Sequence, residues 1–206
     1  MEKNGLSLVY VGDPMCSWCW GFAPEIESLA QDFPVEVVVG GLRPGPAAQP
    51  LEEGLAGFLR SHWDEIAGRT GQPFDTSFLD RRDGWVYDTE PAAIAVGVMR
   101  ETDESRTLDY FTTIQRGFYS DGRDITDFDV LASLADGYDV DTTEFRAQLD
   151  TEEAQKVAWG DFSRSRDWGI SGFPALIADL RDGRLALLAR GWTAADLIRT
   201  RISSLE

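Results

Sequence analysis

Leu6-Ser7-Leu8-Val9-Tyr10-Val11-Gly12-Asp13-Pro14-Met15-Cys16-Ser17-Trp18-Cys19-Trp20-Gly21-Phe22 carries a strand signal, a turn signal and a helix signal in succession, with two cysteines where turn meets helix. Leu6 to Val11 is apolar and rich in residues that favour strands, and Gly12-Asp13-Pro14 stops it, so the segment reads as a buried strand followed by a turn. From Ser17 to about Asp32 the apolar residues Phe22, Ile26, Leu29 and Ala30 recur at helical spacing, and Pro34 ends the run. Val35-Glu36-Val37-Val38-Val39 announces a second strand, closed by Gly40-Gly41. Strand, helix, strand is a right-handed βαβ opening.

Further along, Gly41 to Pro50 contains Arg43-Pro44-Gly45-Pro46 and reads as a linker. From Leu51 to Trp168 there is almost no strand signal. Leu51–Arg69, Pro91–Thr102, Ser105–Phe118, Asp127–Ala135, Thr143–Leu149 and Glu152–Trp168 each have helical periodicity, with Gly, Asp or Ser between them. Strand chemistry returns at Ala175-Leu176-Ile177-Ala178, turns through Arg181-Asp182-Gly183-Arg184 and is answered by Leu185 to Ala189, a hairpin with an Asp-Gly turn. Thr193 is then placed to cap a last helix carrying Leu197, Ile198 and Ile202. The expected architecture is α/β: β-α-β and β-β-α from residues 1–42 and 170–206, interrupted by a helical insertion over residues 43–169.

Composition narrows the function classes. With 206 residues, 43% of them hydrophobic, the chain has material for one large domain or a small domain carrying an insertion. Nineteen Lys plus Arg against 36 Asp plus Glu leave a net charge of −17, so nucleic acid would be repelled rather than gathered. Lys3 and Lys156 are the only lysines. No window approaches the roughly 18 uninterrupted apolar residues of a membrane span, and Met1 to Gly5 has no signal-peptide character. A soluble, cytoplasmic protein is expected, with no nucleic-acid or membrane partner.

Two cysteines cannot form a secreted disulfide framework, so Cys16 and Cys19 need a local explanation. Three-residue spacing at a helix start brings both sulfurs to one face, where the unpaired amides of the first turn and the positive end of the helix dipole favour a thiolate at Cys16. In this reading Cys16 attacks a substrate disulfide and Cys19 resolves the mixed disulfide. Inert packing thiols, a short structural disulfide and a zinc site compete with it. Zinc is short of ligands, since His62 is the only histidine, and no metal is expected.

Gly172-Phe173-Pro174-Ala175 places a proline before a strand, where a trans bond is tolerable and a cis bond would present the Phe173 backbone to an extended substrate. Trp18 is expected as an exposed apolar contact for substrate, with Trp20 and Phe22 in the core. His62 reads as a surface or packing residue. Thr89 fits an N-cap, with Glu90 favouring the dipole and Pro91 in the first turn; the alternative is that Glu90 and Pro91 line the groove opposite Cys16. Trp159, Trp168 and Trp192 read as aromatics at element boundaries. No glycine motif for cradling phosphate follows a strand, so no nucleotide or flavin cofactor is expected.

Asp13-Pro14-Met15-Cys16-Ser17-Trp18-Cys19-Trp20-Gly21-Phe22, the long helical insertion and Gly172-Phe173-Pro174-Ala175-Leu176 together resemble the DsbA family of thioredoxin-fold thiol oxidoreductases. The similarity is to its cytosolic branch, often labelled FrnE-like or DsbA-like disulfide isomerases, and spans essentially the whole chain. Arg69-Thr70-Gly71-Gln72-Pro73-Phe74 and Asp88-Thr89-Glu90-Pro91-Ala92 look like insert motifs of that branch. The resemblance implies that Cys16 is the nucleophile, Cys19 the resolving cysteine and Pro174 a cis-proline facing them. Phe173, Pro174, Trp18 and Ser17 are then the substrate-binding candidates. It also implies thiol and disulfide substrates, protein or small-molecule, and no cofactor beyond the Cys16–Cys19 disulfide, with glutathione or another thiol as electron partner. Between the cysteines this chain has Ser17-Trp18, where the periplasmic oxidants usually have His, and Asp13 and Glu25 oppose a thiolate; a milder redox protein is expected. Two rival functions are a glutathione-dependent transferase or isomerase with a single nucleophile, and a non-catalytic client-binding module.

Overall fold

The computed structural model describes residues 5–80 and 84–205, so residues 1–4 and Glu206 at the two ends of the expected α/β segments lie outside it. In chain order the elements are β1 (Ser7–Gly12), α1 (Ser17–Ala30), β2 (Val35–Val39), β3 (Gln49–Pro50), α2 (Glu53–Thr70), α3 (Ser77–Asp80), β4 (Val86–Tyr87), α4 (Glu90–Thr102), α5 (Thr107–Tyr119), α6 (Phe128–Leu134), α7 (Thr142–Leu149), α8 (Glu152–Asp167), β5 (Ala175–Asp179), β6 (Leu185–Arg190) and α9 (Ala195–Ser203). The main sheet runs β2-β1-β5-β6, with β1 parallel to β2 and antiparallel to β5, and β6 antiparallel to β5.

Strand β1 is buried on both faces, which is why it reads as an unbroken apolar run. Its alternation sorts the side chains. Leu8 and Tyr10 join the large core shared with the helices, while Val9 and Val11 join a smaller cluster with Val38, Ile170, Ala175 and Ile177 on the opposite face. On the large-core side the Tyr10 ring meets Phe111 of α5 edge-on, centroids 5.4 Å apart. Gly21 lets α1 lie close to α2, because a Cβ there would be 3.0 Å from Ile66 and Thr70 side-chain atoms. Pro24 sits inside α1 and has no N–H for the Trp20 carbonyl. The Gln72 side-chain amide fills that role, donating to Trp20 O at 2.9 Å.

As an edge strand, β2 has outward backbone groups that the sheet leaves unpaired. Two helices from the segment between β2 and β5 satisfy them. Asp161 of α8 accepts from Val39 N at 3.1 Å, Arg100 of α4 donates to Val37 O at 2.8 Å, and the two side chains are paired to each other at 2.7 Å. Both are largely buried.

Several local expectations need correction. The stretch from Leu51 to Trp168 does contain a strand, β4, which pairs with β3 in a two-stranded sheet; two residues each are too few to show periodicity. Thr193 does not cap α9. Ala194 holds the cap position, and the Ala195 N–H is satisfied at 2.7 Å by the Glu25 carboxylate of α1. Thr89 holds the cap position of α4 but its side chain does not cap: Asp88 Oδ1 accepts from Glu90 N, while Thr89 Oγ1 accepts from Arg43 N. For α9 the acceptor comes from a helix 170 positions away, and for α4 from the residue just before the cap. Among the described residues no helix is long and apolar enough to cross a membrane.

The edge closure predicts that Asp161→Asn leaves Arg100 buried without its counter-charge and places an amide NH2, a donor, where one of the two acceptor oxygens stood. Breaking such a pair costs about 3 kcal/mol of unfolding free energy, read from urea unfolding curves. A loss below about 1 kcal/mol, the scale of an exposed pair, would mean that other contacts close this edge.

Candidate active site

The turn between β1 and α1 is built around the Asp13 carboxylate. Its Oδ1 accepts from Met15 N at 2.8 Å and its Oδ2 from Leu42 N at 2.7 Å, so one side chain joins the turn to the chain leaving β2. The Asp13 carbonyl accepts from Cys16 N at 3.0 Å, and Gly40 N donates to Gly12 O at 2.7 Å. Asp13 is fully buried, which pushes its carboxyl up to about 6 against the opposing pull of the Leu42 and Met15 N–H groups. The Tyr87 hydroxyl of β4 donates to Met15 O, holding the residue before the first cysteine from the other side.

Cys16 occupies the N-cap position of α1 with an extended backbone, and its carbonyl accepts from Trp20 N at 3.1 Å. The two sulfurs are not equivalent. Cys16 is 7% exposed and Cys19 is 0% exposed. Both are free thiols. Burial pushes the Cys19 thiol well up, and the neighbouring Cys16 sulfur pushes it further. Cys19 therefore keeps its proton at neutral pH. Tyr10 adjoins it from β1, its hydroxyl likewise pushed up by burial first and by the charge of Cys19 second.

From the other end of the chain, Phe173 brings its carbonyl oxygen to 3.6 Å from Cys16 Sγ. The Phe173–Pro174 peptide bond is cis, and the Pro174 carbonyl accepts from Gly191 N at 2.7 Å. The half-buried Phe173 ring lies on Gly40, where a Cβ would come within 2.1 Å of it. A glycine is required there by close approach, a demand the Gly40-Gly41 pair conceals because it looks like an ordinary strand end.

The structure thus brings Cys16, Cys19 and Phe173–Pro174 together. It treats the dipeptide between the cysteines differently from expectation. Trp18 is half-buried rather than an open contact, because its ring meets His62 edge-on at 5.9 Å and carries the Arg69 guanidinium at 5.4 Å. Ser17 is buried in the first turn of α1. Trp20 and Phe22 are core residues; Trp20 stacks on Tyr119 and donates to Pro73 O at 2.9 Å. His62 packs between Phe58 and Trp18. Glu90 accepts from Gln155 at 2.7 Å and Trp159 at 3.0 Å, and its other oxygen packs against Gly45, so its polar contacts tie α4 to α8. Among the described residues no group of three or more His, Cys, Asp or Glu is arranged to hold a metal ion. Sequence reasoning missed Tyr87, Gly40 and the bridging role of Asp13. The first two lie far along the chain from Cys16, and only the fold brings them in.

Residues 9–182 match the family model described as Thioredoxin. A crystal structure from Nitrosomonas europaea, provisionally described as a protein disulfide isomerase, is 31% identical, covers 98% of this chain and 97% of that one, and superposes with a TM-score of 0.87. The cytosolic disulfide reductase DsbM from Pseudomonas aeruginosa is 28% identical over 97% of this chain and 98% of that one, with a TM-score of 0.81; it has also been crystallised with glutathione. Among curated proteins, the ClpXP adapter protein SpxH of Bacillus subtilis is 22% identical over 84% of this chain, and the chain spans 58% of that relative's length. The chain belongs to the thioredoxin family and has the α/β fold of its DsbA-like oxidoreductases.

Proposed function

We propose that this protein catalyses thiol–disulfide exchange through Cys16 and Cys19, in the cytoplasm and in the direction of reduction or isomerisation. The observation that carries the reading is the asymmetry of the two sulfurs beside Phe173. Cys16 stands at the helix start with a sliver of exposed surface, its thiol donating to the Phe173 carbonyl at 3.6 Å, and Cys19 lies wholly covered behind it. As a thiolate, Cys16 attacks one sulfur of a substrate disulfide; that S–S bond breaks, and the leaving thiolate takes the electron pair and then a proton. Cys19 then loses its proton and attacks Cys16 Sγ, releasing the second substrate thiol and leaving a Cys16–Cys19 disulfide. The substrate gains two electrons and the protein loses two, so a thiol such as glutathione must return the protein to its dithiol form. Isomerisation uses only the first attack and its reversal.

The similarity to a protein named as a cytosolic disulfide reductase and crystallised with glutathione supports both the compartment and the electron partner. A buried second thiol favours dithiol chemistry over a transferase with one nucleophile.

Equilibrating the protein in graded glutathione buffers, with tryptophan fluorescence as the readout, should give a reversible two-electron transition with a midpoint nearer thioredoxin's than the periplasmic oxidants'. Cys16→Ser should abolish disulfide reduction. Cys19→Ser should allow one round of attack and accumulate a mixed disulfide visible by mass. Equal multiple turnover in Cys19→Ser would favour the single-nucleophile transferase instead.

The buried Asp13 gives this site a pH signature. Its carboxyl is raised from 3.8 to about 6, so the folded protein holds that proton more tightly than the unfolded chain does. Stability from this group is fully present below pH 4 and is lost as the pH rises towards 6, after which it is level. The difference in unfolding free energy between the native chain and Asp13→Asn should therefore fall between pH 4 and 6 and then stay constant. A difference that does not change from pH 4 to 7 would contradict the burial of an ionising Asp13.

A further inference from the structure

In a chain of net charge −17, many arginines are engaged by carboxylates: Arg60 with Asp80, Arg100 with Asp161, Arg146 with Asp129 and Asp150, Arg164 with Glu36, and Arg199 with Asp32. Two arginines that rest on aromatic rings around the β1–α1 turn are held differently. Arg43 and Arg69 make neither an ion pair nor a side-chain hydrogen bond among the described residues, and each rests on aromatic faces. The Arg43 guanidinium lies 5.0 Å from the centre of the Tyr87 ring; that of Arg69 lies 5.4 Å from Trp18 and 5.5 Å from Trp192. Stacking fixes the plane of a guanidinium while leaving its N–H fork free for an oxyanion.

Both arginines border Cys16 through residues already described. Arg43 follows Leu42, whose N–H is bound by Asp13, and the Tyr87 ring beneath it bonds to Met15 O. Thr89 straps the Arg43 backbone on both sides, accepting from its N–H and donating to its carbonyl, each at 3.1 Å. Asp13 is the acid in electrostatic reach of Arg43, and its two oxygens are already occupied by backbone N–H groups. Arg69 leans on Trp18, which stands between the two cysteines in sequence. Trp192, the second ring under Arg69, is fixed by its bond to Gly21 O at 3.1 Å.

We infer that Arg43 and Arg69 are docking cations that select a small disulfide bearing carboxylates as the substrate of Cys16. The inference rests on the thiol-exchange reading above and adds the chemical class of the substrate. The overall field of the protein repels an anion, so such a disulfide gains access only where local cations reverse that field.

The test compares oxidised glutathione, which is anionic, with neutral hydroxyethyl disulfide, by the rate of oxidation of the reduced protein. The readout is the ratio of kcat/KM for the anionic disulfide to that for the neutral one. Arg43→Gln and Arg69→Gln should each lower this ratio at least five-fold, mainly through KM. Arg184→Gln, which removes the same charge from the β5–β6 turn, should leave the ratio in place. A ratio unmoved by either substitution, or moved equally by Arg184→Gln, overturns the docking role while leaving thiol exchange standing. If neither disulfide oxidises the native protein, the thiol-exchange reading fails and the docking role with it.

Discussion

The buried Asp13 carboxylate is the constraint on which the site depends. It occupies the inside of the β1–α1 turn and accepts from both Met15 N and Leu42 N, so the position of Cys16 is fixed by a group on its own turn and by the chain leaving β2. A carboxylate placed away from water is costly, and the raised proton affinity of Asp13 expresses that cost. Two backbone N–H groups in the same place would be costly without an acceptor as well. The arrangement satisfies them together and puts the first turn of α1 at the carboxyl ends of β1 and β2, where open α/β sheets present their reactive groups.

Strand β2 then links this turn to the helical segment. Its last residues lead into Gly40, on which the Phe173 ring rests, and its outer edge is closed by Arg100 and Asp161. Phe173 comes from just before β5, more than 150 residues after Cys16, yet its carbonyl meets Cys16 Sγ. The helices between β2 and β5 therefore do more than fill space. They close the sheet edge and share a continuous core with β1 and α1, while β4, from the same segment, supplies Tyr87 behind Met15. A disturbance at Asp161 would pass along β2 to the surface that seats Phe173.

Much of this was legible in the sequence wherever a signal is local and strong. The apolar runs of β1, β2 and β5 and the helical periodicities of α2, α4 and α8 mark their own elements, because burial of a face demands a period. The spacing and setting of Cys16 and Cys19 marked the candidate chemistry. What stayed hidden depends on partners distant in sequence. Thr193 looks like a cap, but Glu25 from α1 provides the acceptor. The helix read from Ser17 onward does continue through Pro24, but the group that takes up the carbonyl Pro24 frees, Gln72, lies in a different segment. Trp18 looks like an open contact until α2 brings His62 and Arg69 against it.

The difference between the two cysteines follows from helix geometry. A residue at the N-cap lies outside the helical ladder, so its side chain can face solvent while its carbonyl starts the first turn. A residue three positions on lies under the same face, one turn deeper. Cys16 and Cys19 take these two places, and the sheet residue Tyr10 lies against the deeper sulfur. Exchanging their environments would require the helix to begin a turn later, which would separate Cys16 from the Asp13 carbonyl and Met15 from Tyr87. The order of attack proposed for the two thiols is thus tied to where the helix starts, and the helix start is set by the turn that Asp13 holds.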